Sequence, residues 1–170
     1  MTTASKSSNS RLSAVSLDKS IGSPSDPILK REQAVTISDL LENNSFAPVG
    51  HNGGPYLLEL EILDKKLVLS VTTESGEHVL CHHLSLTSFR QLLKDYRIVC
   101  ESYIDAQLRL TPERLEAIDM GRRAIHDEAS ALLRERFKSR VEIDQDTARR
   151  LFTLISLLVA RNSFGRGPAT

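Results

Sequence analysis

The chain of 170 residues, 40% hydrophobic and 26% charged, has the composition of one soluble globular domain, not that of a fibrous or disordered chain. Its 22 Lys and Arg balance 22 Asp and Glu, which removes the net field on which nucleic-acid binding and membrane-surface attachment draw. Its 2 cysteines, Cys81 and Cys100, are too few for a disulfide framework.

Residues 1–10, "MTTASKSSNS", lack the apolar segment of a secretory signal and read as a disordered tail, so a cytoplasmic protein is expected. A single α+β domain is expected over 11–161, and a second disordered tail over 162–170. "RLSAVSLD" (Arg11 to Asp18) alternates enough for a short strand, and "SIGSPSDP" breaks the chain. From about Ile28 to Asn43, Ala34, Ile37, Leu40 and Leu41 recur at helical spacing, with Asn43 and Asn44 as stops. "FAPVGHNGGP" reads as a loop. "YLLELEIL", "KLVLSVTT" and "HVLCHHLSL", from Tyr56 to Leu86, read as three strands. The connections at Asp64–Lys65 and around Gly76 are of hairpin length, so an antiparallel meander follows.

Helical period takes over at Thr87, where Phe89, Leu92, Leu93, Tyr96, Val99, Cys100, Tyr103 and Ile104 share an arc and Arg90, Lys94 and Arg97 point mostly away. Thr111 followed by Pro112 and Glu113 starts another helix, reaching about Phe137. Asp144 caps a last helix from Gln145 to Arg161. Leu151, Phe152, Leu154, Ile155, Leu157, Leu158 and Val159 cover most of its circumference, which suggests burial in the centre of the fold or at a subunit seam. The expected fold is an antiparallel sheet, comprising the meander and an N-terminal strand, packed against C-terminal helices.

The segment "AIDMGRRAIHDE" (Ala117 to Glu128) places a glycine and two arginines inside a helix. On a helical wheel Arg122 falls among Leu115, Ile118, Ile125, Ala129, Leu132 and Leu133, the face that must meet the fold. Asp119 and His126 lie one turn before and after it, close enough for the three side chains to meet, while Arg123 points toward solvent beside Asp127. Gly121 costs a helix about 1 kcal/mol relative to alanine, so its expected use is the close approach of a backbone or ligand. Two readings follow. In the plainer one, Asp119 neutralises Arg122 in a structural ion pair. In the other, the Arg122 fork and His126 hold a carboxylate or phosphate, Asp119 orients the arginine, and His51 completes the pocket. No nucleophile with matched spacing accompanies His126.

Other motifs carry less. "VGHNGGPY" lacks the Lys-Ser/Thr ending of a phosphate loop and leads into a strand, so a structural turn is favoured. "EHVLCHH" puts Cys81 with His83 on one strand face and His78 with His82 on the other, but two ligands do not make a metal site, and no metal or cofactor is expected. "RERFKSR" reads as a solvated helix end, not a nucleic-acid contact. The longest apolar run, Leu151 to Ala160, is too short to span a membrane.

The segments "ENNSFAPVGHNGGPYLLELEI", "HLSLTSFRQLLKDYRIVCESYIDA", "RLEAIDMGRRAIHDEAS" and "DTARRLFTLISLL" resemble, in order and from about Arg11 to Ala160, a bacterial family catalogued as uncharacterised protein family 0262. The resemblance implies a small bacterial cytoplasmic protein and brings no catalytic residues. With no complete catalytic constellation, the leading expectation is a non-catalytic binding or regulatory protein acting through a protein partner or as a homodimer. The alternative is a small-anion binding protein or enzyme built on Arg122 and His126.

Overall fold

The computed structural model describes residues 9–21, 26–109 and 111–161. The tail expectations for 1–8 and 162–170 lie outside the described residues. The elements run β1 (Leu12–Leu17), α1 (Pro27–Glu42), β2 (Phe46–Pro48), β3 (Tyr56–Leu63), β4 (Lys66–Thr73), β5 (His78–Ser85), α2 (Arg90–Arg109), α3 (Pro112–Phe137), β6 (Val141–Ile143) and α4 (Gln145–Arg161).

The main sheet has the order β1-β3-β4-β5. The β3, β4 and β5 strands form the expected meander, and the Asp64–Lys65 turn has both residues at positive φ (50° and 62°). That is the two-residue geometry whose twist matches paired strands. β1 joins β3 in parallel, with α1 in the crossover between them, so the sheet is mixed and mostly antiparallel. Alternation then sorts the sheet. Leu58 and Leu60 of β3, Leu67, Leu69 and Val71 of β4, and Leu80 and Leu84 of β5 are buried. On the other face, Glu59 and His83 are exposed.

Two short strands were not legible in the chain. Phe46–Pro48, within the expected loop, pairs antiparallel with Val141–Ile143, joining the segment before the meander to the segment between the last two helices. Three residues are too few for a period-two signal. Around this ribbon, Ser45 N–H donates to Thr147 Oγ1 at 2.8 Å, and Phe46 N–H donates to Ser10 O at 2.9 Å, so Ser10, expected in the N-terminal tail, is tied to β2.

Helix ends follow their residue chemistry. Thr111 caps α3 by accepting from Arg114 N–H, and Asp144 caps α4 by accepting from Thr147 N–H at 2.8 Å. Asn44, just past α1, accepts from Leu12 N–H at 2.7 Å and donates to Leu12 O at 3.1 Å and Leu40 O at 2.9 Å, satisfying a helix end and a sheet edge together. The core joins the sheet to α4, whose Leu151, Phe152, Leu154, Ile155, Leu158 and Val159 are buried while Leu157 is half-buried. The apolar circumference of α4 is therefore mostly covered within one chain, by the sheet, α1 and α3, and does not require a subunit seam.

Candidate functional site

Arg122 sits on the half-buried face of α3 as its position on the helix dictates. Its Nε donates to Asp119 Oδ1 at 3.1 Å and a terminal nitrogen donates to the same oxygen. Its guanidinium lies 4.7 Å from the ring centroid of Tyr103 on α2. Arg123, exposed as expected, turns back to Asp119 Oδ2 at 2.8 Å and not to Asp127, which instead pairs with Arg149 of α4 at 2.9 Å. One carboxylate thus holds two arginines. Hydrogen bonding from Arg122 holds the Asp119 carboxyl below the usual carboxylate range, and the same bond pushes the Arg122 guanidinium up.

His126 faces another way. Its Nε2 lies 3.0 Å from Arg149 O and 2.9 Å from Thr153 Oγ1 on α4, while the Thr153 hydroxyl donates to Arg149 O. Those partners assign the imidazole proton to Nε2, as a donor that ties α3 to α4. The ring stacks on Tyr96 of α2 at 5.3 Å between centroids and tilts against Phe152. Burial depresses the His126 pKa below its ordinary value, with the Arg149 and Arg122 charges adding to the effect, and burial drives the Tyr96 hydroxyl up to about 12. The structure brings Asp119 and Arg122 together and turns His126 into the helix seam.

His51 belongs to a separate cluster. Gly53 N–H donates to its Nδ1 at 3.0 Å, and the buried Tyr56 hydroxyl lies 3.0 Å from the same atom. The glycines of this loop have a local use, since a Cβ on Gly54 would overlap the backbone oxygen of Asn9. Gly121 differs. A Cβ there would meet no atom within 4 Å, so no described backbone requires that glycine.

On β5, Cys81 and His83 share the open sheet face with Sγ and Nε2 3.7 Å apart, and Ser70 Oγ lies 3.9 Å from Cys81 Sγ. His82 points inward, edge-on to Phe137, with its Nε2 buried and unpartnered, and burial lowers its pKa. A bulge between it and His78 breaks the strict alternation expected of the pair. Among the described residues, no group of three or more His, Cys, Asp or Glu could hold a metal ion, and no helix is long and apolar enough to cross a membrane. In the basic segment that ends α3 and follows it, Arg134 Nε donates to Ile143 O at 2.8 Å and Arg140 donates to Cys81 O at 3.1 Å, so two of its bases brace strands.

The feature that periodicity alone did not single out is a groove of about 720 Å³ between α2 and the end of α4. Leu93, Tyr96, Leu157 and Val159 line it, and Arg90, Lys94 and Arg97 stand along its α2 side. The sequence signal was those three bases at positions i, i+4 and i+7 on α2, which one helix stripe must bring together.

The model of the Uncharacterised protein family (UPF0262) matches residues 9–161. A UPF0262 protein of Rhizobium etli (strain CIAT 652) is 55% identical over 151 residues, covering 89% of this chain and 96% of the relative. One from Xanthobacter autotrophicus (strain ATCC BAA-1158 / Py2) is 52% identical, covering 88% and 92%. One from Agrobacterium fabrum (strain C58 / ATCC 33970) is 50% identical, covering 89% and 96%. No solved structure matches the chain. The match along residues 9–161 and these bacterial relatives agree, and the chain belongs to the Uncharacterised protein family (UPF0262).

Proposed function

We propose that the protein is a non-catalytic binding protein of the bacterial cytoplasm that acts through a protein partner, a second copy of itself being one form such a partner can take. The observation that carries this reading is the uneven cover of its helices. Ile28 of α1, Ile104 and Leu108 of α2, and Met120 of α3 are 68%, 64%, 83% and 63% exposed. Exposed apolar side chains on three helices supply the contacts that an interaction surface uses. The polar groups that could have carried chemistry are engaged inside the chain: Asp119 with two arginines, His126 with α4, and His51 with Tyr56.

The test is photo-crosslinking in living bacteria with a reactive side chain at position 108, and at position 59 on the open sheet face as the control. The reading predicts one discrete adduct from position 108, of partner mass or of twice the chain's mass, and none from position 59. Absence of adducts from positions 104, 108 and 120 alike would remove it. The alternative, anion capture by Arg122, is supported by the residue type and weakened by the Asp119 pairing. A thermal-shift screen of phosphates, nucleotides and small carboxylates separates the two. Stabilisation by one compound in the native protein and its loss in Arg122→Lys, which keeps the charge and loses the fork, would favour the anion site.

A further inference from the structure

We propose that the groove between α2 and α4 docks an acidic amphipathic helix presented by the protein partner; this rests on the partner-binding reading above and names where and what kind of segment binds. The floor is apolar and recessed, with Leu93 and Val159 8% and 6% exposed, and Leu157 and Tyr96 half-buried beside them. The α2 side carries Arg90, Lys94 and Arg97, all exposed and, among the described residues, without a carboxylate within ion-pair distance. Asp95, the nearest acid on the same helix, keeps its charge, accepts a hydrogen bond from Gln91 Nε2 at 2.8 Å and forms no ion pair with the three bases. The carboxylates of Glu101 and Glu32 act on Cys100, at the end of the groove beyond Arg97.

A helical ligand with acids at i, i+4 and i+7 presents charges along two turns, about 10 Å, the same span over which α2 presents its three bases. Its neighbouring apolar stripe then enters the floor, as in the helix-in-groove mode of recognition. The charge pattern selects among occupants. Residues 162–170 contain Arg166 and no Asp or Glu, so this segment does not complement the stripe. A two-fold pairing of the groove with that of a second copy would set Arg90, Lys94 and Arg97 against themselves. A bilayer surface is met by protruding apolar side chains, whereas these lie recessed.

The test uses the full chain and a fluorescein-labelled helical peptide of about 16 residues, with leucines on one stripe and glutamates at i, i+4 and i+7 beside it, together with the same peptide carrying lysines for glutamates. Fluorescence anisotropy should show saturable binding of the acidic peptide only, weakening about tenfold between roughly 0.05 and 0.5 M salt. The variant Arg90→Glu, Lys94→Glu, Arg97→Glu should lose the acidic peptide and bind the lysine peptide, a reversal that a misfolded protein cannot give. No saturation by the acidic peptide would overturn the proposal, as would unchanged binding by the reversed variant. So would binding only to phosphatidylglycerol vesicles and not to peptide. A gain in peptide affinity in Phe164→Ser would assign the groove to the chain's own end and overturn it as well. If the peptide fails while position 108 still crosslinks a partner in cells, the groove assignment falls and the partner-binding reading stands.

Discussion

The sheet with α4 and the helices α1 and α2 spend their apolar residues in opposite ways. In α4, Leu151, Phe152, Leu154 and Leu158 have no exposed surface and lie in one cluster with Leu58, Leu60, Leu67 and Val71 of the sheet. The 20-residue α2 buries only Leu93 and Ala106, and the 16-residue α1 only Leu40. Ile98, Ile104 and Leu108 of α2, with Ile28 and Val35 of α1, are left exposed. Burial in the first region supplies the free energy of folding, whereas exposure in the second costs solubility without adding stability. A surface of the second kind has its use in what it meets outside the chain.

The comparison breaks most easily by truncating one side chain in each region. Leu58→Ala or Phe152→Ala should cost about 3–5 kcal/mol in denaturant unfolding, because both side chains are closely surrounded and leave cavities. Leu108→Ala should stay within about 0.5 kcal/mol. Equal costs would mean that α2 is held as firmly as the sheet. Asn44→Ala comes next, since it unmakes three hydrogen bonds between α1 and the edge of β1. A loss of about 2 kcal/mol is expected, and a neutral result would show that water replaces them freely.

Gly121→Ala should stabilise by about 1 kcal/mol, because the added Cβ meets open space within a helix. Should that variant gain stability and lose the crosslink from position 108, the space above Gly121 belongs to the partner. The smallest effect concerns pH. His126 and His82 have folded pKa values below the ordinary 6.5, so the unfolded chain takes up protons first as pH falls. Their contribution is complete above about pH 6.5 and declines as pH falls through the folded values. His126→Gln keeps an N–H donor toward Arg149 O and removes one titration, so its stability should fall less steeply between about pH 7 and 5. An unchanged slope would assign the acid sensitivity elsewhere.

Much of the fold was legible because local chemistry and periodicity agree in it. Thr111-Pro112 and Asp144 fixed the starts of α3 and α4, and Asp64–Lys65 fixed the first hairpin. The β2–β6 ribbon was not, since it depends on residues almost a hundred positions apart meeting over three-residue strands. At the candidate site, helical spacing sufficed for Asp119 with Arg122, a contact one turn long. The same spacing gave the exposure of Arg123 but not its partner, nor that of His126. The imidazole found a carbonyl on α4, and Arg123 shared Asp119 because Arg149, from another helix, had taken Asp127. Wheel geometry gives a direction for each side chain but says nothing of which neighbouring helix competes for it.

The division between a firm core and loosely anchored helices is tested most directly by amide hydrogen exchange of the free full-length chain, followed by mass spectrometry. Peptides from β3, β4 and α4 should exchange slowest, through global unfolding, while those from α1 and from 98–109 of α2 should exchange orders of magnitude sooner, through local opening. Protection of α1 and α2 equal to that of the sheet would contradict the account, because the exposed helices would then be as much a part of the cooperative core as the strands.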